Sequence, residues 1–60
     1  MYDNIVIHNY AESKHFHAMA NFRKGKKIMV EIAMTDIDAI IGYLKRNGLC
    51  DIPVKIINHK

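Results

Sequence analysis

Apolar residues stand at every second position along two runs of this chain, on either side of a basic segment that contains a glycine. The two runs are Phe16, Ala18, Ala20 and Phe22, then Ile28, Val30, Ile32 and Met34. A period of two is typical of a β-strand with one buried face. The pattern therefore predicts a β-hairpin over residues 14–34, with the apolar side chains of both arms on one face.

The connection of this hairpin is predicted to be a three-residue loop at residues 23–25. Gly25 then occupies the third loop position, where a type I turn followed by a bulge requires positive φ. This loop sets Phe22 opposite Lys26 and keeps the apolar residues of both arms in phase. A two-residue loop at Lys24-Gly25 would instead set Phe22 opposite Lys27 and divide the apolar set between two faces.

Two further segments with alternating apolar positions predict the remaining strands. Residues 5–10 would turn Ile5 and Ile7 inward and the even-numbered side chains outward. Residues 52–56 alternate in the same way. Pro53 has no N–H donor, which favours a position at the edge of the sheet for this last strand.

A helix is predicted to begin after Thr35 and to end at Asn47. The Thr35 hydroxyl can cap a free backbone N–H, and Asp38 follows three residues later, close to a capping-box spacing. Gly48 can take the left-handed conformation that terminates many helices. The apolar positions recur at the spacing of one helix face. They are Ile37, Ile40, Ile41 and Leu44.

These elements predict a small two-layer α+β domain with the order β-β-β-α-β. The expected sheet is antiparallel with one added parallel strand, which lies beside the third or the first strand, and one helix packs on one face. The chain of 60 residues is expected to be a single domain over residues 1–60. In topology alone, this order resembles the half-size ribonuclease-H-like unit of small antitoxins of the HicB type.

The composition indicates which oligomeric state and which cellular compartment to expect. Half of the residues are hydrophobic, a large share for so short a chain, and a partner surface or a homodimer would use the surplus. A single cysteine excludes an internal disulfide and favours a reducing, cytoplasmic location. The N-terminal residues show neither a signal peptide nor a membrane-spanning run, so no membrane association is expected.

The net charge of +3 raises an alternative function, a small basic nucleic-acid-binding module. Clustered lysines and arginines at a hairpin tip and a helix end can contact phosphates, although a solvated, solubilising turn explains the same pattern. The candidate nucleic-acid contacts are Arg23, Lys24, Lys26, Lys27, Lys45 and Arg46.

Neither a catalytic site nor a metal or cofactor site is predicted. His15 and His17 project to one side of a strand, but a metal site needs at least one further ligand, and none is evident in the sequence. His8 could join them if the first strand lies beside the second and its outer face matches. In the predicted register His17 instead lies opposite Glu31. Cys50 follows the helix without a motif that would activate a thiol, and is expected to be a small buried hydrophobe. The chain is therefore not expected to be an enzyme.

The outer face of the sheet is the predicted partner-binding surface. In the predicted register Met19 lies opposite Met29, and His15 and His17 flank this pair. Methionine adapts well to irregular partner surfaces. Tyr43 is also predicted to contact a partner, because it borders a flat side of the helix. The leading hypothesis is a non-enzymatic regulatory protein, bacterial or phage-encoded, that acts as an inhibitor, antitoxin or host-factor modulator by binding a protein or itself.

Overall fold

The computed structural model describes residues 2–12 and 15–59, which form one four-stranded sheet with one helix on a single face. Ser13 and Lys14, at the predicted entry to the hairpin, lie outside the described residues. The predicted β-β-β-α-β order and the α+β class are confirmed. The elements are β1 (Asn4–Tyr10), β2 (Ala18–Lys24), β3 (Lys27–Met34), α1 (Ile37–Arg46) and β4 (Val54–His59).

The strands lie in the spatial order β3-β2-β1-β4, so β3 and β4 form the two edges of the sheet. β1 pairs antiparallel with β2 and parallel with β4. Of the two neighbours predicted for the last strand, the first strand and the third, the structure therefore shows the first. Pro53 immediately precedes β4, and its carbonyl accepts a hydrogen bond from the Ile5 N–H at 2.9 Å. The edge position predicted from this proline is confirmed.

The hairpin loop is one residue shorter than predicted. Lys24 pairs with Lys27, which leaves Gly25 and Lys26 as a two-residue loop. Gly25 has the expected positive φ, 61°, and Lys26 does not. A glycine with positive φ at the first central position is typical of a type II′ turn, whose twist matches that of the flanking strands.

A β-bulge beside this turn restores the phase of the hairpin. Phe22 pairs with Val30, whereas Arg23 pairs with Ile28, so Met29 is the extra residue of β3. The predicted partner of Phe22, Lys26, is therefore wrong, and the observed partner, Val30, lies four positions further along the chain. Because four is an even number, Val30 and the apolar residues after it still share a face with Phe22. Ile28 instead pairs with Arg23 and belongs, by register, to the opposite face.

The core lies between α1 and the inner face of the sheet. β1 and β2 alternate buried residues towards the helix, and Phe22 is the largest of them at 1% exposure. Val6, on the outer face, is also buried. The core cluster consists of Ile5, Ile7, Ala18, Ala20, Phe22, Ile40 and Leu44.

The N-cap of α1 is Asp36 and not Thr35 as predicted. Asp36 has extended backbone angles, and its Oδ1 accepts a hydrogen bond from the Ala39 N–H at 2.8 Å. The cap therefore lies one residue later in the sequence than predicted, and its side chain bonds the N–H three residues beyond it. The Asp36 carboxylate also interacts favourably with the positive end of the helix. At the other end, Gly48 has the predicted positive φ, 67°.

Asp36→Ala is expected to lower the free energy of unfolding by about 1 kcal/mol, because it removes the acceptor for a helix N–H. Thr35→Ala is the matched control, since Thr35 is exposed and adjacent to the cap, and we expect a change within about 0.5 kcal/mol. Urea unfolding followed by circular dichroism measures both. A larger loss for Thr35→Ala than for Asp36→Ala would contradict the assignment of the cap.

Candidate functional site

The helix leaves one margin of the inner face open. α1 packs mainly over β2 and β3, and β4 lies on the far side of β1. Val54 and Ile56 pair with the buried Ile5 and Ile7 and share their face, yet they are 42% and 47% exposed. Two aliphatic side chains of β4 therefore extend the core surface beyond the part that the helix covers.

An apolar groove of about 270 Å³ runs between the helix and β4, and we call it the β4 groove. Its walls are almost entirely aliphatic, with one thiol and one ammonium group. Cys50 is exposed in the structure, so the prediction that it is buried is wrong. Such a surface can accept aliphatic side chains of a partner. The groove is lined by Ile7, Ile41, Leu44, Lys45, Cys50, Val54 and Ile56.

The backbone of β4 also has unpaired hydrogen-bonding groups, which we call the β4 edge. The bond from the Ile5 N–H to the Pro53 carbonyl shows that odd-numbered residues of this strand face β1. Because backbone groups alternate along a strand, the N–H and C=O groups of Val54, Ile56 and Asn58 face away from the sheet. An added strand could bind there, with its side chains beside the β4 groove.

The opposite edge is less suited to strand addition. β3 contains the bulge at Met29, and the charged residues Lys27 and Glu31 stand along it. Bulges and charges are features by which natural sheets discourage pairing at an edge. Ile28, Met29 and Val30 are nevertheless 43%, 48% and 37% exposed, so this edge also presents apolar surface.

A histidine cluster lies on the outer face, where β1 meets its two neighbours. Asn21 Nδ2 is 3.1 Å from His8 Nε2, and His8 Nδ1 is 2.8 Å from His59 Nε2. Since the Asn21 amide nitrogen can only donate, the neutral His8 ring accepts at Nε2 and donates from Nδ1 to His59. The Tyr10 ring stacks on His59 at 4.5 Å between centroids. The network holds two imidazoles in fixed orientations above the sheet.

No pattern in the sequence predicts this cluster. The alternation in β1 predicts that His8 faces outward, but His59 lies 51 positions away, and only the parallel pairing of β1 with β4 brings the two together. Within residues 2–12 and 15–59, no three histidine, cysteine, aspartate or glutamate side chains converge as a set of metal ligands.

The residues predicted to bind a partner do not form one surface in the expected way. Met19 pairs with Ala33 and not with Met29, which the bulge leaves without a direct partner. Met29 is exposed, whereas Met19 is half-buried. The predicted opposition of the two methionines is therefore wrong, because the register differs by four residues.

The other three predicted partner residues are also dispersed. His15 and His17 are exposed and precede β2, and the His17 N–H donates to the Met34 carbonyl at 3.3 Å. His17 is thus not opposite Glu31, whose partner is Asn21. Tyr43 is half-buried and packs against the core, with its ring 6.3 Å from that of Phe22.

The basic residues lie at the hairpin tip and at the end of α1. At the tip, Lys24, Lys26 and Lys27 are exposed, and Arg23 is half-buried. The Gly25 N–H donates to an Asp3 carboxylate oxygen at 2.6 Å, so an acidic group also stands at the tip. The helix ends with Lys45 and Arg46, both of which are exposed.

In the part of the chain that the structure describes, no helix combines the length and the apolar character required to cross a bilayer. No family model, no curated protein and no solved structure matches this chain.

Proposed function

We propose that this chain is a small non-enzymatic regulatory protein that acts by binding a protein at the β4 edge and the β4 groove. The observation that carries the proposal is the exposure of Val54 and Ile56, at 42% and 47%, on an edge strand beside an open aliphatic groove. Exposed apolar surface next to unpaired backbone groups is typical of a binding site.

The proposed mode of binding is strand addition. An extended segment of the partner pairs with the outward backbone groups of β4, and these hydrogen bonds supply affinity that depends little on sequence. Alternate side chains of that segment then enter the β4 groove and provide specificity, which favours a partner with aliphatic residues at every second position. Inhibitors, antitoxins and host-factor modulators can all act by occupying a target in this way.

The chemistry of the groove supports a binding role rather than catalysis. Among the described residues that line it, the reactive side chains are Cys50 and Lys45, and neither a carboxylate nor an imidazole is present to act as a general base. We also propose a cytoplasmic location, because the exposed Cys50 thiol is free and a reducing compartment preserves it.

Ile56→Lys is expected to weaken partner binding about tenfold or more, because it places an ammonium group in the apolar centre of the site. Met29→Lys is the matched control: Met29 is 48% exposed against 47% for Ile56, and it lies on the opposite edge strand. The measurement is capture of proteins from a native lysate on immobilised wild type and both variants, with the bound proteins quantified by mass spectrometry.

Equal capture by wild type and Ile56→Lys would contradict the proposed site. The capture is repeated with nuclease, because the alternative of a nucleic-acid-binding module depends on the exposed lysines at the hairpin tip. If retention disappears with nuclease and with charge reversal at Lys24, Lys26 and Lys27, the alternative replaces the proposal.

A further inference from the structure

We infer that the β4 edge binds a second copy of this chain, whose own β4 pairs antiparallel across a two-fold axis at Ile56. The two sheets then join into one continuous sheet of eight strands, and the helices lie on the same side. The inference rests on the proposed function, because it names the occupant of the same edge and groove.

The unpaired backbone groups of β4 complement those of a second β4. Val54, Ile56 and Asn58 carry the outward groups, and they are symmetric about Ile56. When Ile56 lies opposite Ile56 of the second copy, Val54 lies opposite Asn58, and all three residues form hydrogen-bonded pairs. A shift of two positions in either direction would leave one of the three without a partner. Such an interface uses the same patch on both copies and closes as a dimer.

The same alignment brings the exposed apolar residues of the two copies into contact. Both copies of Ile56 meet at the axis on the helix side, with a Val54 on each flank and a β4 groove beyond it. On the outer face, Lys55 lies opposite Ile57 of the second copy, so no like charges are directly opposed. The aliphatic margin that α1 leaves open is therefore flanked by the same margin of the second copy, and its side chains lose part of their lateral exposure to solvent.

Charge favours this edge over the other for contact between copies. The chain has a net charge of +3, so two copies repel each other. β4 contains one lysine, Lys55, and no arginine or acidic residue. A dimer through β3 would instead bring two basic hairpin tips into the interface, and the bulge at Met29 would interrupt the backbone ladder. Each β4 groove also carries Lys45, but pairing through β4 keeps the basic hairpin tips apart and is therefore favoured over pairing through β3.

The size of the surface indicates the expected affinity. β4 has six residues and is about 20 Å long, so pairing together with the groove residues fits the smaller class of interfaces, below about 1,200 Å² in total. Interfaces of this small class include many weak and transient complexes, whose association depends on protein concentration. We therefore expect a monomer–dimer equilibrium that is visible across micromolar to millimolar concentrations.

Sedimentation equilibrium tests the association itself. We expect the wild type and Met29→Lys to have similar dissociation constants for the dimer. The dissociation constant of Ile56→Lys is expected to be higher by about tenfold or more. Both substituted residues are similarly exposed, so neither change is expected to unfold the chain, and circular dichroism verifies this for each variant.

Disulfide trapping tests the register. In a Cys50→Ser background, Ile56→Cys places two thiols on the axis with Cα atoms about 5.5 Å apart, a distance that a disulfide can span. Val54→Cys is the matched control on the same face, and the Cα atoms of its two copies would be about 14 Å apart, too far for a disulfide. Under mild oxidation at dimer-forming concentrations, we expect Ile56→Cys to form a cross-linked dimer and Val54→Cys to remain monomeric on non-reducing gels.

Two results would overturn the inference: a monomeric wild type at millimolar concentration, or cross-linking of Val54→Cys at least as fast as that of Ile56→Cys. Failure of the inference is distinguishable from failure of the proposed function. A monomer that still captures another protein, and loses it on Ile56→Lys, leaves the site with a different occupant. A monomer whose capture is unaffected by Ile56→Lys removes both proposals.

Discussion

Replacing Phe22 by alanine is expected to lower the free energy of unfolding by about 3–5 kcal/mol. Phe22 is the largest fully buried side chain, at 1% exposure, and its ring has edge contacts with Tyr2 and Tyr43 at centroid distances of 5.2 and 6.3 Å. A chain of 60 residues has a total stability of about 3–9 kcal/mol. The loss is therefore between about a third of that stability and all of it. We expect Phe22→Ala to unfold at much lower urea concentrations than the wild type, and to be largely unfolded at room temperature if the wild type is at the lower end of the range.

Phe16→Ala is the control for this prediction, because Phe16 is the only other phenylalanine in the chain. It is half-buried, lies before β2, and contacts Tyr10 at 5.8 Å. We expect a loss of about 1 kcal/mol. Urea unfolding monitored by far-ultraviolet circular dichroism measures both, with Phe22→Leu as a milder change if the alanine variant is unfolded. Equal losses at Phe16 and Phe22 would show that Phe22 is not at the centre of the core.

Ile40→Ala is expected to destabilise the fold by about 2–5 kcal/mol, because it leaves a cavity between α1 and the sheet. Ile40 is 1% exposed and belongs to the core cluster. The neighbouring Ile41 is half-buried and lines the β4 groove, where a truncated side chain leaves space that solvent already reaches. Ile41→Ala is therefore expected to cost about 1 kcal/mol.

The two isoleucines differ in a second measurement. Because Ile41 lines the groove and Ile40 does not, Ile41→Ala is expected to alter partner capture while thermal unfolding stays close to that of the wild type. Ile40→Ala is expected to have the opposite effect, with a large change in unfolding. An Ile41→Ala variant that is as unstable as Ile40→Ala would mean that the helix packs over β4 more closely than described.

The element order and the buried faces were predictable because alternation alone determines which side chains point together. Phe22 and Val30 were assigned to one face although the predicted partner of Phe22 was Lys26. The error arose from two local features with no clear sequence signal, a two-residue turn at Gly25 and a bulge at Met29. Their effects on phase cancel from Val30 onward, so the predicted face is right there although the predicted partners are wrong. Between the turn and the bulge the phase is not restored, and Ile28 lies on the opposite face.

The candidate site was less predictable because it depends on contacts between distant parts of the chain. The pattern left β4 beside either β1 or β3, and only the first choice places Ile56 next to Ile7 and opens a groove below Ile41. The alternation of apolar residues in β4 predicts a strand with one apolar face. Spacing reports the direction of a side chain, but it does not report how far a single ten-residue helix extends across four strands.

The parallel pairing of β1 with β4 has a consequence for the order of folding. Asn9 Nδ2 donates to Asn58 Oδ1 at 3.0 Å across 49 positions, whereas the β2–β3 pairing closes a two-residue turn. Contacts between distant positions close late and slowly, since the loop entropy must be overcome first. During synthesis the hairpin and α1 can assemble while the side of β1 that faces β4 is still unpaired, with Ile5 and Ile7 beside it. β1 is synthesised first, but its pairing is complete only after β4 has been synthesised. Until then β1 is an open edge of the sheet in the nascent chain, and in the finished fold β4 covers that edge.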